Sequence, residues 1–152
     1  AYVGDGNNIS HSIINAAARF PIRVAIASPD GYKPDPAVVA KAREQGAAVT
    51  GVTDPAEAAA GADYLYTDVW ASVGQEAAHA ARVKIFAGYQ IHDALLAKAA
   101  PGAKVLHCLP AHRGEEITDA VMEGPASIVW DEAENRMHVQ KAILEWVFSA
   151  AD

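Results

Sequence analysis

Short apolar runs alternate along the chain with longer stretches in which apolar residues recur three and four positions apart. Val24-Ala25-Ile26-Ala27, Ala48-Val49-Thr50-Gly51-Val52, Tyr64-Leu65-Tyr66-Thr67 and Lys104-Val105-Leu106 read as buried strands. Ala1-Tyr2-Val3 and Ser127-Ile128-Val129-Trp130 read as a first and a sixth strand. After the first, Ile9, Ile13, Ala16, Ala17 and Phe20 fall on one helical stripe, which Pro21 ends. Asp35-Pro36 and Asp54-Pro55 each supply an N-cap with proline at the first helical position. Val38, Val39 and Ala42 are expected to face inward from the first of these helices. Glu57 stands at a capping-box position, and Gly46 and Gly61 close the two helices. Helical sequence runs on to about Arg82, and 93–100 and 118–123 predict two shorter helices. Asp131 is expected to cap the last helix, with Glu134 three residues on. Val139, Ala142, Ile143, Trp146 and Val147 are expected to be its core stripe. Strands alternating with helices imply an α/β fold: a three-layer, Rossmann-like domain, mostly parallel sheet with helices on both faces. No repeat or linker interrupts the pattern, so residues 1–152 are expected to form a single domain.

Composition narrows the function classes. Apolar residues make up 51% and charged residues 20%, which is globular usage. No apolar run approaches the roughly 20 residues of a membrane-spanning helix, so no membrane partner is expected. A net charge of −7 argues against a nucleic-acid partner, whose binding would need a basic face. One cysteine cannot make an internal disulfide, and with no signal-peptide pattern at Ala1-Tyr2-Val3-Gly4 the expected setting is cytoplasmic. The first strand has almost no lead-in, which suggests a piece of a longer protein cut at a domain boundary.

Candidate chemistry gathers where strands end. Gly4-Asp5-Gly6-Asn7-Asn8 joins a strand to a helix and is either an anion site at the helix N-terminus or a plain capped turn. It is neither a G-x-G-x-x-G fingerprint nor a P-loop. Asp68, at another strand end, could hold a substrate cation or simply close a turn. His107-Cys108-Leu109-Pro110-Ala111-His112-Arg113-Gly114-Glu115-Glu116 crowds a thiol, two imidazoles and two acids into one loop. Cys108 could be a nucleophile, a metal ligand or a buried thiol. His107 and Cys108 are adjacent on a strand and should point to opposite faces, which disfavours a shared ion. A triad of Cys108, His112 and Asp68 can be drawn, although no spacing requires it. Arg136 is an anion partner if it faces the loops. His11, His79, His92 and His138 read as surface or capping residues.

Taken in order, these segments resemble the second, amino-acid-binding half of ornithine carbamoyltransferases. The matching residues are Gly4-Asp5-Gly6-Asn7-Asn8 with Ser12, then Thr67-Asp68-Val69-Trp70 with Ser72 and Gly74-Gln75-Glu76. His107-Cys108-Leu109-Pro110-Ala111-His112-Arg113-Gly114 and Glu132-Ala133-Glu134-Asn135-Arg136 follow. The resemblance implies transfer of a carbamoyl group from carbamoyl phosphate to the δ-amine of L-ornithine, with no metal and no organic cofactor. It implies that Asn8, Asp68, Ser72, Val73, Cys108, Leu109 and Arg136 bind substrate. Asn8 would take the α-carboxylate or amine end of ornithine, and Asp68 and Ser72 its ammonium groups. Cys108 and the Leu109 carbonyl would meet the reacting amine, and Arg136 the carbamoyl phosphate; Cys108, Asp68 and Arg136 would carry the catalysis. His107 would support the carbamoyl end. A cis Leu109-Pro110 bond is expected. Val73 stands where the family usually has methionine. The family's Ser-x-Arg-Thr-Arg and His-Pro-x-Gln segments, which carry most of the carbamoyl phosphate site, do not occur in the chain. Carbamoyl phosphate would therefore bind only with the missing carbamoyl-phosphate-binding domain. The family's full-length members are homotrimers; this chain is expected to be inactive alone, as a monomer or self-associating. The alternative is a stand-alone or engineered domain that folds, and self-associates, without binding substrate.

Overall fold

The computed structural model describes residues 1–71 and 79–149. Five strands, β1 (Tyr2–Val3), β2 (Arg23–Ala27), β3 (Ala48–Val52), β4 (Tyr64–Thr67) and β5 (Lys104–His107), form one sheet in the order β3-β2-β1-β4-β5. Every pairing is parallel. The chain works outward from β1 to β3, then returns to the other side of β1 for β4 and β5. The strand order therefore reverses between β1 and β4, where the loops at the carboxyl ends part and leave a crevice.

Period-two alternation divides the core. Tyr2, Val24, Ile26 and Val49 point to one face, where they meet Ile14 and Ala17 of α1 (Asn8–Ala17) and Ala42 of α2 (Pro36–Glu44). Val3, Ala27, Leu65 and Val105 point to the other, with Ala58 and Ala59 of α3 (Pro55–Ala59), Phe86 of α4 (His79–Phe86) and Leu95 of α5 (Asp93–Leu96). Val121 and Met122 of α6 (Asp119–Met122) complete that layer. The expected caps form: Asp35 accepts from the Ala37 N–H and Asp54 from the Ala56 N–H, each at 2.8 Å. His92 caps α5 through Nδ1.

Two expectations fail at the end of the chain. Ser127-Ile128-Val129-Trp130 is not a sixth strand. Only Ser127 bridges β5, opposite Val105, and Val129 already begins α7 (Val129–Ser149), so Asp131 lies inside the helix and does not cap it. A four-residue apolar run satisfies either state, and the 21-residue helix that follows captures it. The stripe on α7 is not core either. Val139, Ile143, Trp146 and Val147 are exposed, Trp146 at 72%, and Val129 is the helix's only buried described residue. Among the described residues no helix is long and apolar enough to cross a membrane.

Candidate active site

A cleft of about 830 Å³ opens at the carboxyl ends of β1, β4 and β5, against the first turns of α7. Asn8, Asp68, Cys108, Leu109 and Arg136 all line it. They come from four separate segments, brought together by the strand-order reversal. Ser72 and Val73 lie outside the described residues.

The Gly4-Asp5-Gly6-Asn7-Asn8 turn owes its glycines to crowding. A Cβ on Gly6 would lie 2.3 Å from Pro34 N and 2.5 Å from Tyr32 O, so only glycine fits. The Gly6 N–H donates to Tyr32 O at 2.7 Å, pinning the turn to that loop. Asn7 occupies the N-cap of α1 without a side-chain capping bond, and Asn8 is exposed to the cleft. Asp5 does not face a ligand: it pairs with Arg82 of α4, which also donates to Trp70 O and lies over the Tyr32 ring. Burial raises the Asp5 carboxyl above its ordinary range, and Arg82 opposes the rise.

Asp68 and Cys108 form the centre of the cleft. The Cys108 thiol donates to Asp68 Oδ1 at 3.1 Å, and the same oxygen accepts from the Val69 N–H at 2.8 Å. Burial, then the Asp68 hydrogen bond and charge, push the Cys108 thiol up to about 12. It is therefore protonated at neutral pH, which disfavours a nucleophilic role because the thiolate is the attacking species. His112 belongs to a separate cluster with His79 and Glu115, and it makes no hydrogen bond to Cys108 or Asp68. The conceivable Cys-His-Asp triad is not assembled.

His107 and Cys108 are closer in space than strand alternation implies. Ligand atoms of Asp68, His107 and Cys108 lie within 4.8 Å of one another. The strand ends at His107, and Leu109 turns into the left-handed region at φ 55°, with a cis Leu109-Pro110 bond after it. That turn brings the Leu109 N–H onto His107 Nδ1 at 2.9 Å. His107 Nε2 meets Glu116 Oε1 at 3.0 Å, and both side chains are fully buried. With Nδ1 accepting, the network assigns the ring proton to Nε2. Both ring nitrogens are thus engaged within the protein, leaving His107 no free nitrogen for a carbamoyl group or a metal.

Two carboxylates that sequence reasoning did not assign hold this centre. Glu116 accepts from His107 and from the His112 N–H at 2.6 Å. Glu132, in the first turn of α7, accepts from the Tyr66 hydroxyl at 2.5 Å through Oε1 and from the His107 N–H at 3.0 Å through Oε2. It joins α7 to β4 and β5. Burial and that bond raise the Tyr66 phenol well above its ordinary range. The only local signal was an acid in a helix's first turn, which does not name partners 25 and 66 residues away. Arg136, one turn on from Glu132, is exposed on the cleft wall and makes no salt bridge among the described residues.

Residues 1–147 match the family described as aspartate/ornithine carbamoyltransferase, Asp/Orn binding domain. The chain belongs to that family. It is 60% identical over 148 residues to an ornithine carbamoyltransferase of Gloeobacter violaceus, covering 95% of this chain and 47% of that protein. It is 56% identical over 147 residues to one of Oleidesulfovibrio alaskensis, covering 97% and 49%. The fold agrees with the crystal structure of anabolic ornithine carbamoyltransferase from Campylobacter jejuni at a TM-score of 0.92 and 34% identity, over 97% of this chain and 50% of that one. Against ornithine carbamoyltransferase from Pyrococcus furiosus the TM-score is 0.87 at 49% identity, over 94% and 47%. The chain spans about half the length of the carbamoyltransferases it matches. Its cleft lies in the amino-acid-binding domain of the family.

Proposed function

We propose that this chain is the L-ornithine-binding half of an ornithine carbamoyltransferase. The reaction joins the ornithine δ-amine to the carbamoyl carbon, breaks the carbon–oxygen bond to phosphate, and releases phosphate and a proton to give L-citrulline. The observation that carries the reading is the Asp68–Cys108 pair at 3.1 Å, in a cleft that also holds Asn8, Leu109 and Arg136.

Asp68 offers a fixed negative charge to an ammonium group of ornithine, and Cys108 a protonated thiol beside it. In this reading Cys108 positions the amine and forms no covalent bond. The Leu109 carbonyl adds an acceptor for the amine, and Asn8 supplies amide hydrogen bonds to the α-carboxylate or amine end. The Arg136 guanidinium is suited to the charge of carbamoyl phosphate and of the tetrahedral intermediate. Ser72 and Val73 complete the ornithine contacts, and no metal or organic cofactor takes part. Residues that grip the phosphate lie in the half of the enzyme outside this chain. Without them the two reactants are not held together, and the chain alone is inactive.

Titration with L-ornithine by calorimetry tests the binding half of the reading. Saturable heat that Asp68→Ala removes is expected; absence of heat with folded protein would overturn it. Mixing the chain with a separately prepared carbamoyl-phosphate-binding half should restore citrulline formation, and full turnover by this chain alone would refute its inactivity.

A further inference from the structure

Outside the ornithine cleft, three metal-binding side chains converge on one point. His79, the first described residue of α4, meets Glu115 Oε2 through Nε2 at 3.0 Å. His112 Nδ1 lies 3.7 Å from the same oxygen. The three ligand atoms lie within 4.8 Å of one another, and the two imidazoles stand edge to face with centroids 5.9 Å apart. Zinc binds imidazole nitrogen and carboxylate oxygen at about 2.0–2.2 Å, so tetrahedral ligands stand roughly 3.3 Å apart. The two measured separations bracket that value. The third pair, between the two imidazoles, lies within 4.8 Å, and the His112 side chain is 44% exposed.

The loop that presents these groups is held independently of any ion. The Gln90 amide donates to Gly114 O at 2.7 Å and to Glu115 O at 2.6 Å, and the Glu115 N–H donates to His112 O at 2.9 Å. The His112 N–H is fixed by buried Glu116. On the other side Arg82, three residues beyond His79, anchors α4 to Asp5 and to the Trp70 carbonyl. The ligands therefore stand on supported backbone, a requirement for a site of defined geometry. The contrast with the second cluster is instructive. Asp68, His107 and Cys108 are equally close, but His107 has no free nitrogen. His79 and His112 instead converge on a single carboxylate, with side chains 37% and 44% exposed.

We propose that His79, His112 and Glu115 form a binding site for a divalent first-row transition ion, zinc by preference, with a water in the remaining position. Two imidazoles disfavour magnesium and calcium, which take oxygen ligands. The ion would clip α4 to the loop that follows Cys108. It lies apart from the reacting groups and takes no part in carbamoyl transfer.

Zinc chloride titrated into the protein, with thermal unfolding alongside, tests the proposal, and cobalt(II) absorption reports the ligands. One saturable site, a Tm that rises with zinc concentration, and cobalt bands without a thiolate charge-transfer band are expected. His79→Ala, His112→Ala and Glu115→Gln should each weaken binding by at least about tenfold, the loss that follows even from disturbing a ligand's support. Cys108→Ser should leave binding unchanged. The targeted side chains are all partly exposed, and circular dichroism verifies that each variant is folded. Absence of a saturable site, binding that survives both histidine substitutions, or binding lost with Cys108→Ser would overturn it.

Discussion

At the residue scale, Cys108 is moved well away from its ordinary chemistry. Its thiol is held protonated by burial and by Asp68. Alkylation by iodoacetamide at pH 8 should be far slower than for an unfolded cysteine, and the rate should keep rising with pH up to about 12. Asp68→Asn removes the nearby negative charge and should speed alkylation at pH 8; an unchanged rate would mean that Asp68 does not act on the thiol. The linkage has a definite sign. Because the folded-state pKa is raised, the thiol's contribution to stability is complete below the unfolded value of about 9.0 and is lost as pH rises toward about 12. Gly6 offers a second test. Gly6→Ala places a methyl against backbone atoms of Lys33 and Pro34, which cannot swing aside. A loss of about 1–3 kcal/mol in unfolding free energy by urea titration is expected, the usual cost of overpacking.

At the scale of elements, α7 is placed by its first turn. Glu132 bonds Tyr66 on β4 and the His107 N–H on β5, so one carboxylate sets the wall of the cleft on which Arg136 stands. Glu132→Ala leaves both partners unpaired and should cost roughly 1–3 kcal/mol, the penalty for stranded, partly buried donors. Differential scanning calorimetry would read this as a lowered Tm; a Tm equal to the parent's would show that α7 is held by other means. The same turn explains the misread strand. Short apolar runs carry no periodicity to separate strand from helix, and partners far along the chain decide between them.

At the scale of the whole molecule, α7 exposes Trp146 at 72% and Phe148 at 73%, with Val139, Ile143, Leu144 and Val147 beside them. Monomeric surfaces rarely leave so much contiguous apolar area open. Prepared by itself, the chain should self-associate in a concentration-dependent manner by sedimentation velocity. The pair Trp146→Ser and Phe148→Ser should shift the distribution toward monomer without changing circular dichroism, since neither side chain supports the core. Monomeric behaviour of the parent at high concentration would refute this.

The amino-acid sequence by itself determined the alternation of strands and helices, the Asp35 and Asp54 caps, and the loop segments that line the cleft. Each depends on neighbours within a few residues, where propensity, capping and turn chemistry act. Only the tertiary structure decided which groups meet. It set Cys108 on Asp68 rather than on His112, engaged both nitrogens of His107, joined His79 to Glu115, and left the α7 stripe uncovered. Those outcomes rest on pairings across tens of residues, fixed by strand order and by the satisfaction of buried polar groups. No local pattern encodes them, so a histidine that looks like surface in the sequence can meet a carboxylate 36 residues away in the fold.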